Sequence, residues 1–171
     1  MKSVLLGVSF ALALLAAPTV RRELLASLEK GFAQSLTASQ MRILGYPSAI
    51  YIDGYGVVYT SEVNLSFSPM VDPFQQTIPP QIKARTQAAE QLQLPILRNE
   101  MRQLLLRSAV TLDTLPPAEQ IVVGVKISLQ NWQDKGGVPV QIVMQGQKSK
   151  LMEAKMGRAS AESVIRVQEQ N

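Results

Sequence analysis

Two stretches rich in β-branched residues, each wrapped around a glycine-containing turn, are separated by a long helical stripe. Few folds accommodate that interleaving, because each hairpin must bury one face against a helix layer. The first stretch, 48–66, reads SAIYIDGYGVVYTSEVNLS. Asp53-Gly54 between Ile52 and Tyr55 predicts a tight hairpin turn, since two-residue loops need positive φ and glycine supplies it without steric cost. Beyond the turn, strand alternation places Val57, Tyr59, Ser61, Val63 and Leu65 on one face, with Val58, Thr60, Glu62 and Asn64 on the other. The second stretch predicts a strand over 119–130, a turn at Asp134-Lys135-Gly136-Gly137 and a partner strand over 138–145. Between the two, the pattern from Gln81 onward is helical. Leu97, Met101, Leu104, Leu105, Ser108 and Leu112 form its apolar stripe, and Arg98 and Arg102 lie on the other side. Pro95 either begins a second helix or kinks a long one.

A helical spacing also runs through 20–44, with Leu24, Leu25, Leu28, Phe32 and Leu36 on one face. Thr19 is positioned to cap it, Glu23 suits its first turns, and Gly45-Tyr46-Pro47 stops it. The proline-rich stretch 67–80 predicts an irregular surface loop, whose Met70 and Phe74 either pack onto the core or form a binding edge. Residues 147–156 predict a short helix closed by Gly157, and 163–168 a last short strand. The expected architecture is therefore a single α+β two-layer domain over 20–171, in the order α–ββ–α–ββ–α, with antiparallel hairpins packed on helices. This order, together with a hairpin opened on an Asp-Gly turn, is similar to that of roadblock and longin domains. The likeness is one of topology and implies no function.

The N-terminus adds an address. Lys2 precedes an apolar run from Val4 to Ala17, the pattern of an export signal. As a helix the run reaches about 21 Å, short of the ~30 Å bilayer core. Residues 1–19 are expected to be a signal peptide, giving a periplasmic or secreted product; the alternative is a membrane anchor through residues 4–17. Leu15, Pro18 and the pair Arg21-Arg22 make the end of the leader less regular than its start.

Composition excludes several chemistries. The chain has no His and no Cys, which removes imidazole general bases, thiolate nucleophiles, disulfides and histidine- or cysteine-based metal sites. No phosphate-binding or calcium loop occurs, so neither a cofactor nor a metal is expected. The balance of 17 basic and 13 acidic residues gives a net charge of +4. This charge favours anionic surfaces, but its interspersed signs do not predict a nucleic-acid partner.

Two small constellations remain. Ser27 and Lys30 match Ser-x-x-Lys, in which a helical turn brings an amine to a serine; the companion elements of such enzymes are missing, and a solvated helix face is the simpler reading. Lys148, Lys150, Lys155 and Arg158 cluster around Leu151, Met152 and Met156. A basic amphipathic helix of this kind lies on an anionic membrane surface, or packs on the core with its charges in water. Asp53 is read as a turn residue, too far from Glu62 to pair with it.

The leader, the segment Gly54–Val63 (GYGVVYTSEV), the segment Val138–Met144 (VPVQIVM) and Lys148–Met152 (KSKLM) together resemble uncharacterised exported bacterial proteins. That resemblance implies export and a shared fold and brings no catalytic residues. The expectation is a non-catalytic protein of the cell envelope that binds a protein partner or an anionic membrane surface. The alternative is a small exported hydrolase working through Ser27 and Lys30 or through carboxylates.

Overall fold

The computed structural model describes residues 20–66, 78–129, 132 and 137–171. The leader, most of the proline-rich loop and most of the second turn lie outside the described residues, and with them Thr19 as a cap.

The first helix, α1, spans Arg22–Ala38 and buries Leu25, Leu28, Phe32 and Leu36 at the predicted spacing. It ends six residues before Leu44, because Gln40 takes a positive φ of 62° and turns the chain into a strand. That strand, β1, spans Arg42–Ile52 and includes the Gly45-Tyr46-Pro47 segment expected only to stop the helix. Proline is admissible there because β1 is an edge strand, and register shifts occur on both sides of Gly45. The Asp53-Gly54 turn follows, with Gly54 at φ 72° and the Tyr55 amide donating to the Ile52 carbonyl. Strand β2 spans Gly56–Asn64 and pairs antiparallel with β1.

Helix α2, Pro80–Thr111, runs 32 residues without a break. Pro79 and Pro80 form its start, where a missing N–H costs nothing, and Pro95 is carried in its interior at the expense of one ladder hydrogen bond. The burial of Leu94, Leu97, Met101, Leu104 and Leu105 on either side of Pro95 compensates for that loss. Strand β3 spans Gln120–Ile127 and β4 spans Gln141–Gln147, paired antiparallel with each other. Helix α3, Lys148–Lys155, closes on Gly157. There the Gly157 amide bonds the Ala154 carbonyl and the Arg158 amide bonds the Glu153 carbonyl, a complete Schellman motif. A four-residue helix, α4 (Ala161–Val164), leads into β5, Arg166–Gln170.

The five strands lie in chain order, β1-β2-β3-β4-β5, as one mixed sheet. The β2–β3 pairing is parallel, which the two-hairpin reading did not specify. A parallel pair requires a crossover, and α2 supplies it. Tyr59 and Val57 of β2, Ile121, Val123 and Val125 of β3, and Ile142 and Met144 of β4 all join the core shared with α1, α2 and α3. The architecture is thus the α+β two-layer domain expected, with antiparallel hairpins packed on helices. Gly56 sits where the strands approach most tightly: its φ is 133°, and a Cβ there would lie 1.9 Å from the Gln120 carbonyl oxygen.

At the centre of the core Ser108 Oγ donates to Tyr59 Oη at 3.2 Å, tying α2 to β2. Burial, opposed by this hydrogen bond, pushes the Tyr59 phenol up to about 12. A phenol whose folded pKa is raised leaves stability intact below pH 10 and lowers it as pH rises toward 12. The expected loss across that window is about 2–3 kcal/mol. Chemical denaturation of the wild type should show it, and Tyr59→Phe should flatten the decline.

Candidate binding surface at the first strand

Among the described residues α1 packs on β1, α2 on β3 and β4, and α3 on β4, whereas β5 is exposed throughout. In β1 Ala49 is buried and Ile43 and Tyr51 pack against the core, whereas Arg42, Leu44, Tyr46, Ser48, Ile50 and Ile52 are exposed; the alternation is regular from Ser48 to Ile52 and interrupted by the register shifts around Gly45. Four of the six exposed positions carry large apolar side chains, at 47%, 63%, 64% and 47% exposure for Leu44, Tyr46, Ile50 and Ile52. Singly exposed apolar residues are ordinary, but a row of them on one strand is the mark of an interaction surface. Beside Ile50 on the neighbouring strands lie Val58, half-buried, and Val122, buried.

At Ala49 the outer edge of β1 is satisfied by a local device. Glu29 of α1 is buried, and its Oε1 accepts the Ala49 amide at 2.7 Å. Arg22 holds both oxygens of the same carboxylate at 2.7 and 3.2 Å and also donates to the Ala49 carbonyl at 3.2 Å. One ion pair therefore satisfies both polar groups that Ala49 turns away from β2. Two residues earlier, Pro47 has no amide hydrogen to offer.

Beside this edge, α1 and β1 enclose a groove of about 520 Å³ lined by Lys30, Ala33, Gln34, Thr37, Ala38, Ile43 and Tyr46. A smaller depression of about 300 Å³ adjoins Tyr46, Thr60, Glu62 and Lys126. Glu62 accepts from the Ser128 hydroxyl and from Lys126 Nζ at 3.3 Å. These two donors hold its carboxyl below the usual carboxylate range.

The residues singled out in the sequence fall in different places. Ser27 and Lys30 are both exposed on α1, with no hydrogen bond between them among the described contacts; Lys30 lines the groove. Lys150, Lys155 and Arg158 are exposed on and after α3. Lys148 is not with them: it is 5% exposed, and its ammonium donates to the carbonyls of Leu112, Asp113 and Leu115 at 2.6, 3.1 and 2.6 Å. These acceptors use all three of its protons and terminate α2, which has no basic residue of its own in its last turn. Burial pushes the Lys148 amine below the ordinary lysine value, and the charge of Asp113 partly opposes this.

Asp53 is a turn residue as expected, but Tyr51 Oη reaches both Asp53 Oδ1 at 3.4 Å and Glu119 Oε1 at 3.3 Å. Burial, followed by the charges of Glu119 and Asp53, raises the Tyr51 phenol above its usual value. Neither the Glu29–Ala49 clamp nor the Lys148 cap was legible beforehand. Both join residues at least 20 positions apart, and no local pattern marks such pairings.

Substituting Glu29 by Ala should cost about 2–3 kcal/mol, since it leaves the Ala49 amide without its acceptor and Arg22 without its counter-charge. Glu29→Gln retains an acceptor and should cost less, a ranking that urea denaturation will test. No family model, curated protein or solved structure matches the chain.

Proposed function

We propose that this is a non-catalytic protein of the bacterial cell envelope, exported by its leader and acting by binding. The observation that carries the reading is the edge strand β1, on which four large apolar side chains, Leu44, Tyr46, Ile50 and Ile52, are all exposed. A row of this kind contributes roughly 25 cal/mol for each Å² of apolar surface removed from water on docking. The leader at 4–17 and the lack of His and Cys support the same reading from the sequence. The bound surface is a protein rather than a membrane on this account, because the charges flanking the exposed apolar residues are of both signs, Arg42 at one end and Asp53 at the other. On the same reading, the element order shared with roadblock and longin domains is a topological kinship and supplies no partner.

Two measurements test the proposal. The intact mass and cell fraction of the chain expressed with its native N-terminus should show loss of about 17–20 residues and a product outside the cytoplasm. An intact chain in the cytoplasm would sink the export reading. Ile50→Asp, which alters an exposed side chain, should leave the melting temperature within a few degrees and abolish association at the β1 face. Unchanged association would remove β1 from the binding surface.

A further inference from the structure

Positions 30, 33, 34, 37 and 38 recur at the helical spacing along one side of α1, beside the positions 25, 28, 32 and 36 of its buried face. They line the groove of about 520 Å³ that α1 forms with Ile43 and Tyr46 of β1. Ala33 and Ala38 have nothing beyond Cβ to fill that space, and Ile43 with the Tyr46 ring gives it an apolar wall. Thr37 adds little polarity, because its hydroxyl donates to the Ala33 carbonyl at 2.9 Å. Lys30 is the one charged residue among those described as lining the groove, and its ammonium has no ion-pair partner among the described residues. Glu29, next to it in the chain, is taken by Arg22 and the Ala49 amide. No acidic residue stands three or four positions from Lys30 along the helix.

We propose that this groove is a binding site for a straight-chain carboxylate of medium length, with the chain against Ala33, Ala38, Ile43 and Tyr46 and the head group at Lys30. Its volume falls within the roughly 300–1,000 Å³ of small-molecule sites. An unpaired cation beside an otherwise apolar lining selects an anion that carries an apolar body. The ammonium supplies charge-assisted hydrogen bonds to a carboxylate, and the Gln34 amide, one turn along the same side of α1, offers a neutral donor beside it. The apolar lining takes methylenes out of water. A cationic amphiphile would meet Lys30 with like charge, and a small inorganic anion would leave the apolar wall wet. Of the exposed apolar residues of β1 only Tyr46 lines this groove; Leu44, Ile50 and Ile52 do not. The inference therefore goes beyond the reading of β1 as a protein-binding surface and stands or falls without it.

The test is isothermal titration of the protein, as isolated from its producing cells, with octanoate, octanol and octyltrimethylammonium below their micelle concentrations. Octanoate should bind one to one with a Kd below about 1 mM. Octanol, the same chain without the charge, should bind about tenfold more weakly, and octyltrimethylammonium more weakly still. From hexanoate to octanoate the affinity should rise by up to about fourfold for each added methylene. Lys30→Gln should reduce octanoate to the affinity of octanol and leave octanol unchanged. Ala38→Leu fills the groove and should abolish both. Lys30 and Ala38 are exposed, so both variants should keep the wild-type melting temperature within a few degrees. Ile50→Asp, which lies outside the groove, should bind octanoate as the wild type does. A wild type that takes no octanoate, binding indifferent to Lys30→Gln, binding that survives Ala38→Leu, or binding lost in Ile50→Asp would each overturn the inference. None of these outcomes touches the protein-binding reading of β1, which is judged by association of the Ile50→Asp variant.

Discussion

The parallel pairing of β2 with β3 is the constraint on which the rest of this molecule depends. Val57, Tyr59, Ser61 and Val63 stand in register beside Ile121, Val123, Val125 and Ile127. Parallel neighbours cannot be joined by a tight turn, so the chain must leave the sheet and return. Helix α2 makes that return, and its stripe of Leu97, Met101, Leu104 and Leu105 is wholly buried against the sheet and its neighbouring helices. With the crossover helix on one side, α1 and α3 pack beside it. On the other side of the sheet Ile50, Glu62 and Lys126 belong to strands whose core-facing neighbours are Ala49, Val63 and Val125.

That asymmetry explains why the polar devices of the fold sit where they do. At the β1 margin Glu29 and Arg22 close the backbone groups of Ala49. At the far end of α2, Lys148 gathers three carbonyls from a segment more than 30 residues earlier. Each brings a charge into a poorly solvated place, which is tolerated because it is hydrogen-bonded there, Glu29 by three donors and Lys148 by three acceptors. At the opposite margin the all-exposed β5 joins the helix layer through an ion pair, Arg98 Nε and Nη2 meeting Glu169 at 2.7 Å each. Each margin of the sheet is thus tied to the helix layer by an arginine–glutamate pair, Arg22–Glu29 at β1 and Arg98–Glu169 at β5.

Much of the fold was legible where the signal was local. The apolar stripe of α2 was read residue for residue, and so was the face of β2 that carries Tyr59 and Val63. The Asp53-Gly54 turn and the Gly157 cap were legible because glycine at positive φ leaves a sequence mark. The β1 strand was misread at its start for an equally physical reason. Gly45-Tyr46-Pro47 breaks a helix and would break a central strand, yet it fits an edge strand that bulges, and edge position is a property of the assembled sheet.

The sequence by itself determined the element types, the α+β class, the buried face of β2 and α2, and the exclusion of imidazole and thiolate chemistry. Those depend on side-chain identity and on periods of a few residues, which the linear order contains in full. Only the tertiary structure decided that β2 and β3 run parallel, that Lys148 is a buried cap apart from Lys150, Lys155 and Arg158, and that β1 carries an uncovered apolar row. Each of these depends on which distant segments meet, and that is set by the summed burial of the whole core rather than by any local pattern.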